Sequence, residues 1–398
     1  MARFSVLILL CCLASAAKAE ELPTSPVEKY LHAGNYAAGE SAMLQALDVN
    51  PADDEARFGL GVLQFFRAVE NLGRALHEYG AISEKTRQPF LRLPVPANEN
   101  PATISYQEFR RVLDLFGRDL ARAESTLADI QHDLVKLRLR LASIRLDFTG
   151  SGENPVTLLE VINKVNRRPI QFPNGNADFR IHFDRGDVAW LRAYCHLLMG
   201  MVDATLAMDG EIGFEKRSHE IFPKIETFTD EEEHWEDGVD VIDAPRLRRM
   251  RLHFLMVAKL NPETWKYIRA ETDDDFEWLS NANQTDQLGL PISNEQVDRW
   301  LAMMKQFEEL LDGKRLFPGS LLTFVNKNHD VSLGMNFKTV FDNPPENIFN
   351  RGRIEKEGFY PQYLEPQTEK PVFDLPALFA VFQLFDGPLG AARAFRLN

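Results

Sequence analysis

Cysteine is nearly missing from this chain: there are three, Cys11, Cys12 and Cys195. The first two lie in an apolar run from Phe4 to Ala17, with Arg3 as the only charge before it and the small-x-small sequence Ala17-Lys18-Ala19 after it. That arrangement predicts a secretory signal cleaved after Ala19, and so a periplasmic or secreted protein. Leu10 and Cys11 precede the two cysteines where a lipid-attachment signal wants a small residue, which argues against a lipoprotein. Removal of residues 1–19 leaves only Cys195, so no internal disulfide can form. Stability must come from an ordinary core, for which about 380 residues are ample. Cys195 sits in the apolar helical pattern Leu191 to Leu198, which reads as a buried, inert thiol.

Positive charge is outweighed, with 45 Lys and Arg against 59 Asp and Glu. The formal net charge is −14, and the leader carries Arg3 and Lys18 but no acid, which leaves the remaining chain near −16. Such a surface repels nucleic acid and anionic lipid, and tolerates cationic partners and divalent metals. No later stretch is long and apolar enough to span a bilayer. There is no glycine-rich phosphate loop, no serine elbow and no HExxH. No catalytic residue is assigned from sequence.

The chain does carry helical periodicity, and the expected class is mainly α with minor short β-elements. Ser25-Pro26-Val27-Glu28 has the form of a capping box with proline at the first helical position. A short helix stops at Gly34. Tyr36, Ala42, Ala46, Leu47, Pro51, Ala56, Leu60 and Gly61 follow at the spacing of a helical hairpin. These residues resemble the tetratricopeptide repeat over about residues 25–80. Gly34 and Tyr36 match its turn glycine and following aromatic, Pro51 ends the second helix, and Leu60-Gly61 opens the next unit. Gly39 departs from the usual alanine. No further unit shares the spacing, and a lone hairpin of this kind must pack on something else.

Residues 81–103 are proline-rich and read as a loop. From Tyr106 through Phe109, Leu113, Phe116, Leu120, Ala123, Leu127, Ile130, Leu134, Leu137, Leu141 and Ile144 to Phe148, apolar residues alternate steps of three and four. This is a heptad seam, about 65 Å long if helical throughout. It is read as one long helix inside a globular bundle. Beyond residue 133 the alternation of Leu137, Leu139 and Leu141 with Lys136, Arg138 and Arg140 is equally a strand period. Residues 179–183 read as a strand, and Asp187 as the cap of a helix from about 188 to 209 closed by Gly210.

Residues 230–243 read as a solvated linker, with seven carboxylates around Trp235 and Asp243 as an eighth that closes the segment. Arg246, Arg248, Arg249 and Arg251 follow. Asp243 with Pro245, and Ser293 with Gln296, each announce a helix. A hairpin is expected over 321–341 around Asn326-Lys327-Asn328, and the apolar tail from Leu375 to Phe395 is expected to dock in the core. The resulting division is 1–19 signal, 20–80 helical hairpin, 81–229 helical body, 230–243 acidic linker and 244–398 helical C-terminal region.

The sharpest chemical candidate is Asp147-Phe148-Thr149-Gly150-Ser151-Gly152-Glu153. It resembles the calcium loop of an EF-hand: Asp147, Thr149 and Ser151 take positions one, three and five, and Gly152 takes the sixth. The resemblance implies calcium held by Asp147, Thr149, Ser151 and Glu153. It departs from the pattern at the twelfth position, where Leu158 replaces the bidentate glutamate. Asp184 and Asp187 are candidates to complete the site if residues 179–183 pair with 144–148. The nine histidines form no metal-spaced group; His182 and His196 flank these two acids. The Asp273-Asp274-Asp275 run reads as an exposed acidic turn. Asn283-Gln284-Thr285, near Trp278, offers amides and an aromatic face of the kind that suits a sugar. Two functions follow. One is a non-catalytic binding or scaffold protein that takes a protein or peptide partner on its helical surfaces. The other is a metal-assisted hydrolase centred on Asp147, Asp184 and Asp187.

Overall fold

The computed structural model describes residues 24–377, apart from 87, 167–168, 170–171, 173–174, 231–236, 289–290 and 349. The signal expected at 1–19, the centre of the acidic run and most of the apolar tail lie outside the described residues. The rest is mainly helical.

The front of the chain is three helices, α1 (Glu28–Ala33), α2 (Tyr36–Val49) and α3 (Asp54–Glu78). Gly34 ends α1 with φ +65°, a left-handed turn that favours glycine. The capping box expected at Ser25 does not form. Ser25 instead donates to Glu55 and pairs its backbone with Arg138, while Glu28 binds the backbone and guanidinium of Arg140. Both residues are drawn away from the helix end by a longer-range partner. Asn35 and Asp53 cap α2 and α3. Gly39 lies where an added Cβ would come within 2.9 Å of both Leu63 and Tyr30, so its departure from alanine is a close-approach requirement.

Ser105 caps α4 (Tyr106–Ala128). Its seam residues Leu113, Phe116, Leu120, Ala123 and Leu127 are buried, so the heptad face points into the molecule. The helix ends twenty residues before the seam does. Asp54 accepts hydrogen bonds from the amides of Gln131 and His132, and Leu137–Arg140 is a strand, β1, with both leucines buried. The strand period prevails because this segment finds an antiparallel partner.

Two short strands, β2 (Arg145–Leu146) and β3 (Val156–Thr157), bracket the loop at 147–153 and pair with each other. Helix α5 (Leu158–Asn166) follows. Strand β4 (Arg180–Phe183) pairs with β1 in the register Leu137 opposite Phe183, and not with residues 144–148, the pairing on which completion of the 147–153 site depended. Helix α6 (Arg185–Ala207) starts three residues earlier than expected. Asp184 is its N-cap and Asp187 the third-position partner of a complete capping box. Met208 closes α6, and Gly210 instead precedes α7 (Glu211–Arg217).

Of the acidic run, Val239–Asp240 forms β5. Asp243 caps α8 (Ala244–Ala270), as expected, with Pro245 in its first turn. Of the arginines after it, Arg246 pairs with Asp243 at the end of the acidic run and also with Asp114 and Asp203, and Arg251 pairs with Asp342. Ser293 and Gln296 form the expected capping box of α9 (Asn294–Leu311). The hairpin expected over 321–341 is absent. That stretch forms α10 (Gly319–Leu322), β6 (Leu333–Met335) and α11 (Phe337–Asp342). Strand β7 (Asn347–Ile348) pairs with β5, helix α12 (Arg351–Glu357) follows, and β8 (Leu364–Pro366) pairs with β6.

The helices pack in succession: α2 on α3, α3 on α4, α4 on α6, α6 on α8 and α8 on α9. Two apolar cores result among the described residues. The larger runs from Val27 to Phe222; the smaller gathers Trp190, Trp265, Ile268, Leu279, Val297 and Met303. Leu191 and Trp278 pack against both. The pairing of α6 with α8 is the most extensive, and glycine permits it near both ends of α6. A Cβ on Gly186 would lie 2.8 Å from Ile268, and one on Gly200 would lie 2.9 Å from Phe254. This approach brings the start of α6 to the end of α8.

A buried carboxyl cluster beside an aromatic cavity

Four carboxyl side chains meet where α6 begins and α8 ends. Asp184 and Asp187 come from the α6 capping box. Glu271 caps the end of α8. Glu277 comes from the loop that follows, and it is only 1% exposed. One carboxylate oxygen from each of Asp184, Glu271 and Glu277 lies within 4.8 Å of the others.

The loop is held in place by its own amides. Asn281 donates to the carbonyls of Ile268 and Glu271, and Gln284 to the Glu271 carboxylate and the Asp273 carbonyl. The Asn281 and Gln284 amides are therefore engaged within the loop. The amide of His182 in β4 donates to the Phe276 carbonyl, which ties the loop to the strand before α6. Phe276 has φ +61° and Phe179 φ +49°, left-handed conformations that are costly for aromatic residues and cluster at functional sites. One of them immediately precedes Glu277, and the other immediately precedes β4.

The hydrogen bonds do not satisfy the acids. Asp184 accepts from the amides of Gly186 and Asp187, and Asp187 Oδ2 accepts from the amide of Asp184. Glu277 accepts from the amide of Asp275. Asp187 Oδ1 and Glu277 Oε2 are buried with no hydrogen-bond partner, and Glu271 shares a bond with Asp184. Burial, with the Asp184 charge beside it, pushes the Asp187 carboxyl well above the usual carboxylate range. Burial and the shared bond with Asp184 push Glu271 up. Burial, reinforced by Asp184, pushes Glu277 up to about 7 against the pull of the Asp275 amide and Lys136. The α6 N-terminus contributes only about half a positive charge, and Lys136 is engaged by Asp273 and Asp275. Among the described residues the cluster has only this shared lysine as a counter-charge. Such acids either hold protons or hold a cation.

Asp187 also forms part of the wall of a cavity of about 120 Å³ at the junction of the two cores. Phe65, Phe66, Trp190, Tyr194 and Trp278 are among the other residues that line it. Trp190 stacks on Tyr194 with the planes 3° apart, and Trp278 meets Trp190 edge-on.

The loop at 147–153 is elsewhere. Asp147 Oδ1 accepts from the amides of Thr149 and Gly150 and from the Thr149 hydroxyl, while Oδ2 accepts from the Gly152 amide. Burial opposes ionisation of Asp147, but these bonds win and hold its carboxyl below the usual range. Thr149 and Ser151 bond each other, and the Glu153 amide donates to Ser151. Behind the loop stand Glu70 and Arg74. Asp184 and Asp187 have Glu271 and Glu277 as neighbours instead, because β4 pairs with β1. The acids of the hydrolase reading thus fall into two groups with different neighbours. We expect Asp147→Ala to cost about 2–3 kcal/mol through the lost turn bonds. Chemical denaturation should give the same loss in calcium and in chelator; a loss confined to calcium would restore the loop as an ion site.

The histidines separate likewise. His182 lies 2.9 Å from Asp275, and His196 faces His253 with their Nδ1 atoms 2.9 Å apart. Glu271 and Glu277 escaped notice in the sequence because they flank an acidic run that reads as an exposed turn. The available signal was that Glu277 sits between Phe276 and Trp278. No protein-family model matches the chain, and comparison with curated proteins and with solved structures finds no match.

Proposed function

We propose that this is an exported, non-catalytic binding protein whose helical body is organised around a divalent cation held by Asp184, Glu271 and Glu277. The supporting observation is the convergence of Asp184, Glu277 and the half-buried Glu271, one oxygen of each within 4.8 Å of the others, with a buried Glu277 oxygen that nothing bonds. Calcium–oxygen bonds run 2.3–2.6 Å, so ligands on opposite sides of one ion stand up to about 5 Å apart. All-oxygen donors select a hard ion, calcium or manganese, over zinc. Asp187 stands next in line as a carboxylate bonded to the Asp184 amide. The tetratricopeptide-like hairpin of α2 and α3 is the surface we assign to a protein or peptide partner, and the apolar leader supports export. No helix among the described residues is long and apolar enough to cross a membrane.

A thermal melt of residues 20–398 tests the ion. An ion bound only to the folded state stabilises by about 2.7 kcal/mol at a hundredfold excess over Kd. Millimolar calcium or manganese should raise Tm above its value in chelator, and Glu271→Gln should abolish the rise. Superimposed wild-type melts with and without either ion would refute the site.

A further inference from the structure

Two histidines face each other across the seam between α6 and α8. The Nδ1 atoms of His196 and His253 are 2.9 Å apart. A hydrogen bond between two ring nitrogens needs a hydrogen on one and a bare lone pair on the other. The outer nitrogens face carboxylates: His196 Nε2 lies 3.4 Å from Glu124 of α4, and His253 Nε2 lies 3.7 Å from Asp203 of α6. Arginines hold both acids in place. Arg192 of α6 reaches Glu124, Arg246 and Arg249 of α8 reach Asp203, and Arg246 also reaches Asp114 of α4. The inner contact takes its one hydrogen whether the pair is neutral or carries a single positive charge. A second positive ring sets N–H against N–H and like charges together. Burial, with the His196 charge beside it, pushes the His253 imidazole down to about 4 from an ordinary 6.5. The contact also sits at a tight point of the seam. One turn on from His196, a Cβ on Gly200 would lie 2.9 Å from Phe254, the residue after His253.

We propose that His196 and His253 form a proton-sensitive clasp, closed while they share one hydrogen and opened by a second positive charge, so that acidification parts α6 from α8 around Gly200. Once the seam is open, both rings meet water and take protons near the ordinary imidazole value. The contribution of the clasp is therefore full above about pH 6.5 and is lost as pH falls toward about 4. The two helices also carry Asp184 and Glu271, but the clasp stands on the histidines and needs no ion there.

Hydrogen exchange of residues 20–398 in chelator tests it, read by mass spectrometry at pH 7 and pH 4.5 and corrected for the intrinsic rate at each pH. Protection around residues 192–203 and 246–257 should fall at least about tenfold at pH 4.5, while that of α9 stays within about twofold. His253→Gln keeps an amide that can donate to His196 Nδ1 but cannot take a charge. In that variant the change in α6 and α8 should stay within about twofold. Equal acceleration in α9 would mean general acid unfolding, and equal acceleration in the variant would mean that another group titrates; either overturns the proposal. Unchanged protection in the wild type overturns it as well. If His253→Gln does not fold, ring-nitrogen NMR of the wild-type chain labelled with nitrogen-15 histidine decides. One protonated and one bare Nδ1 across the pair at pH 6 is expected, and any other pattern overturns the clasp.

Discussion

Glu277→Gln should stabilise the metal-free protein by about 3 kcal/mol at pH 8 and leave it unchanged near pH 4. The carboxyl of Glu277 rises from an ordinary 4.5 to about 7 on folding, chiefly through burial. A carboxyl raised in this way keeps its proton longer in the folded state than in the unfolded one. Its contribution to stability is therefore full below pH 4.5 and is lost as pH climbs through 7. Each pKa unit is worth about 1.4 kcal/mol, which gives the expected size. Glutamine has no charge to bury, and its amide can donate to Asp184 or Glu271. Comparison of variant with wild type at each pH cancels other titrations. One of these is His253, whose pKa burial lowers to about 4 and which opposes stability on acidification. Denaturant titrations at pH 4, 6 and 8 in chelator measure the trend. Saturating calcium should reverse it, because the wild-type carboxylate then has a partner that glutamine cannot replace. A variant less stable than wild type at pH 8 in chelator would mean that Glu277 is already satisfied.

Gly73→Ala should destabilise the fold by about 2–3 kcal/mol, against the gain of about 1 kcal/mol that alanine brings to an ordinary helix interior. An added Cβ would stand 2.1 Å from Cδ1 and 2.5 Å from Cε1 of Phe148, which is only 1% exposed. The ring cannot swing away. Its neighbour Asp147 is tied to α3 on both sides, by its amide to Glu70 and by its carbonyl to Arg74. Overpacking of this kind costs about 1–3 kcal/mol and sometimes more. The urea midpoint should fall in Gly73→Ala and recover in part when Phe148→Leu is added. A midpoint at or above the wild-type value would show that α3 and the 147–153 loop are not in this contact.

The same contact shows what the sequence could and could not convey. Periodicity and caps are local, and they located the helices well: Asp243 and Ser293 cap α8 and α9 as expected, and the seam of α4 faces inward. Strand pairing is not local. Leu137–Arg140 fits helix and strand periods equally, and only the arrival of Arg180–Phe183 decides between them. That choice moves Asp184 and Asp187 away from the 147–153 loop and toward Glu271 and Glu277. Ser25 and Glu28 fail as a capping box for a related reason, since partners more than a hundred residues away compete for their side chains. Half of the carboxyl cluster was visible as Asp184 and Asp187. The other half was concealed because an acidic run signals solvent, and nothing in sequence spacing reports that a left-handed Phe276 precedes a buried Glu277.

Diffraction from crystals soaked in manganese, collected for anomalous scattering, tests the central claim most directly. A peak between the carboxylates of Asp184, Glu271 and Glu277, with oxygens at about 2.1–2.4 Å, is the predicted result. A peak at Asp147 and Thr149 instead, or fully occupied hydrogen bonds among protonated acids with no peak, would contradict it.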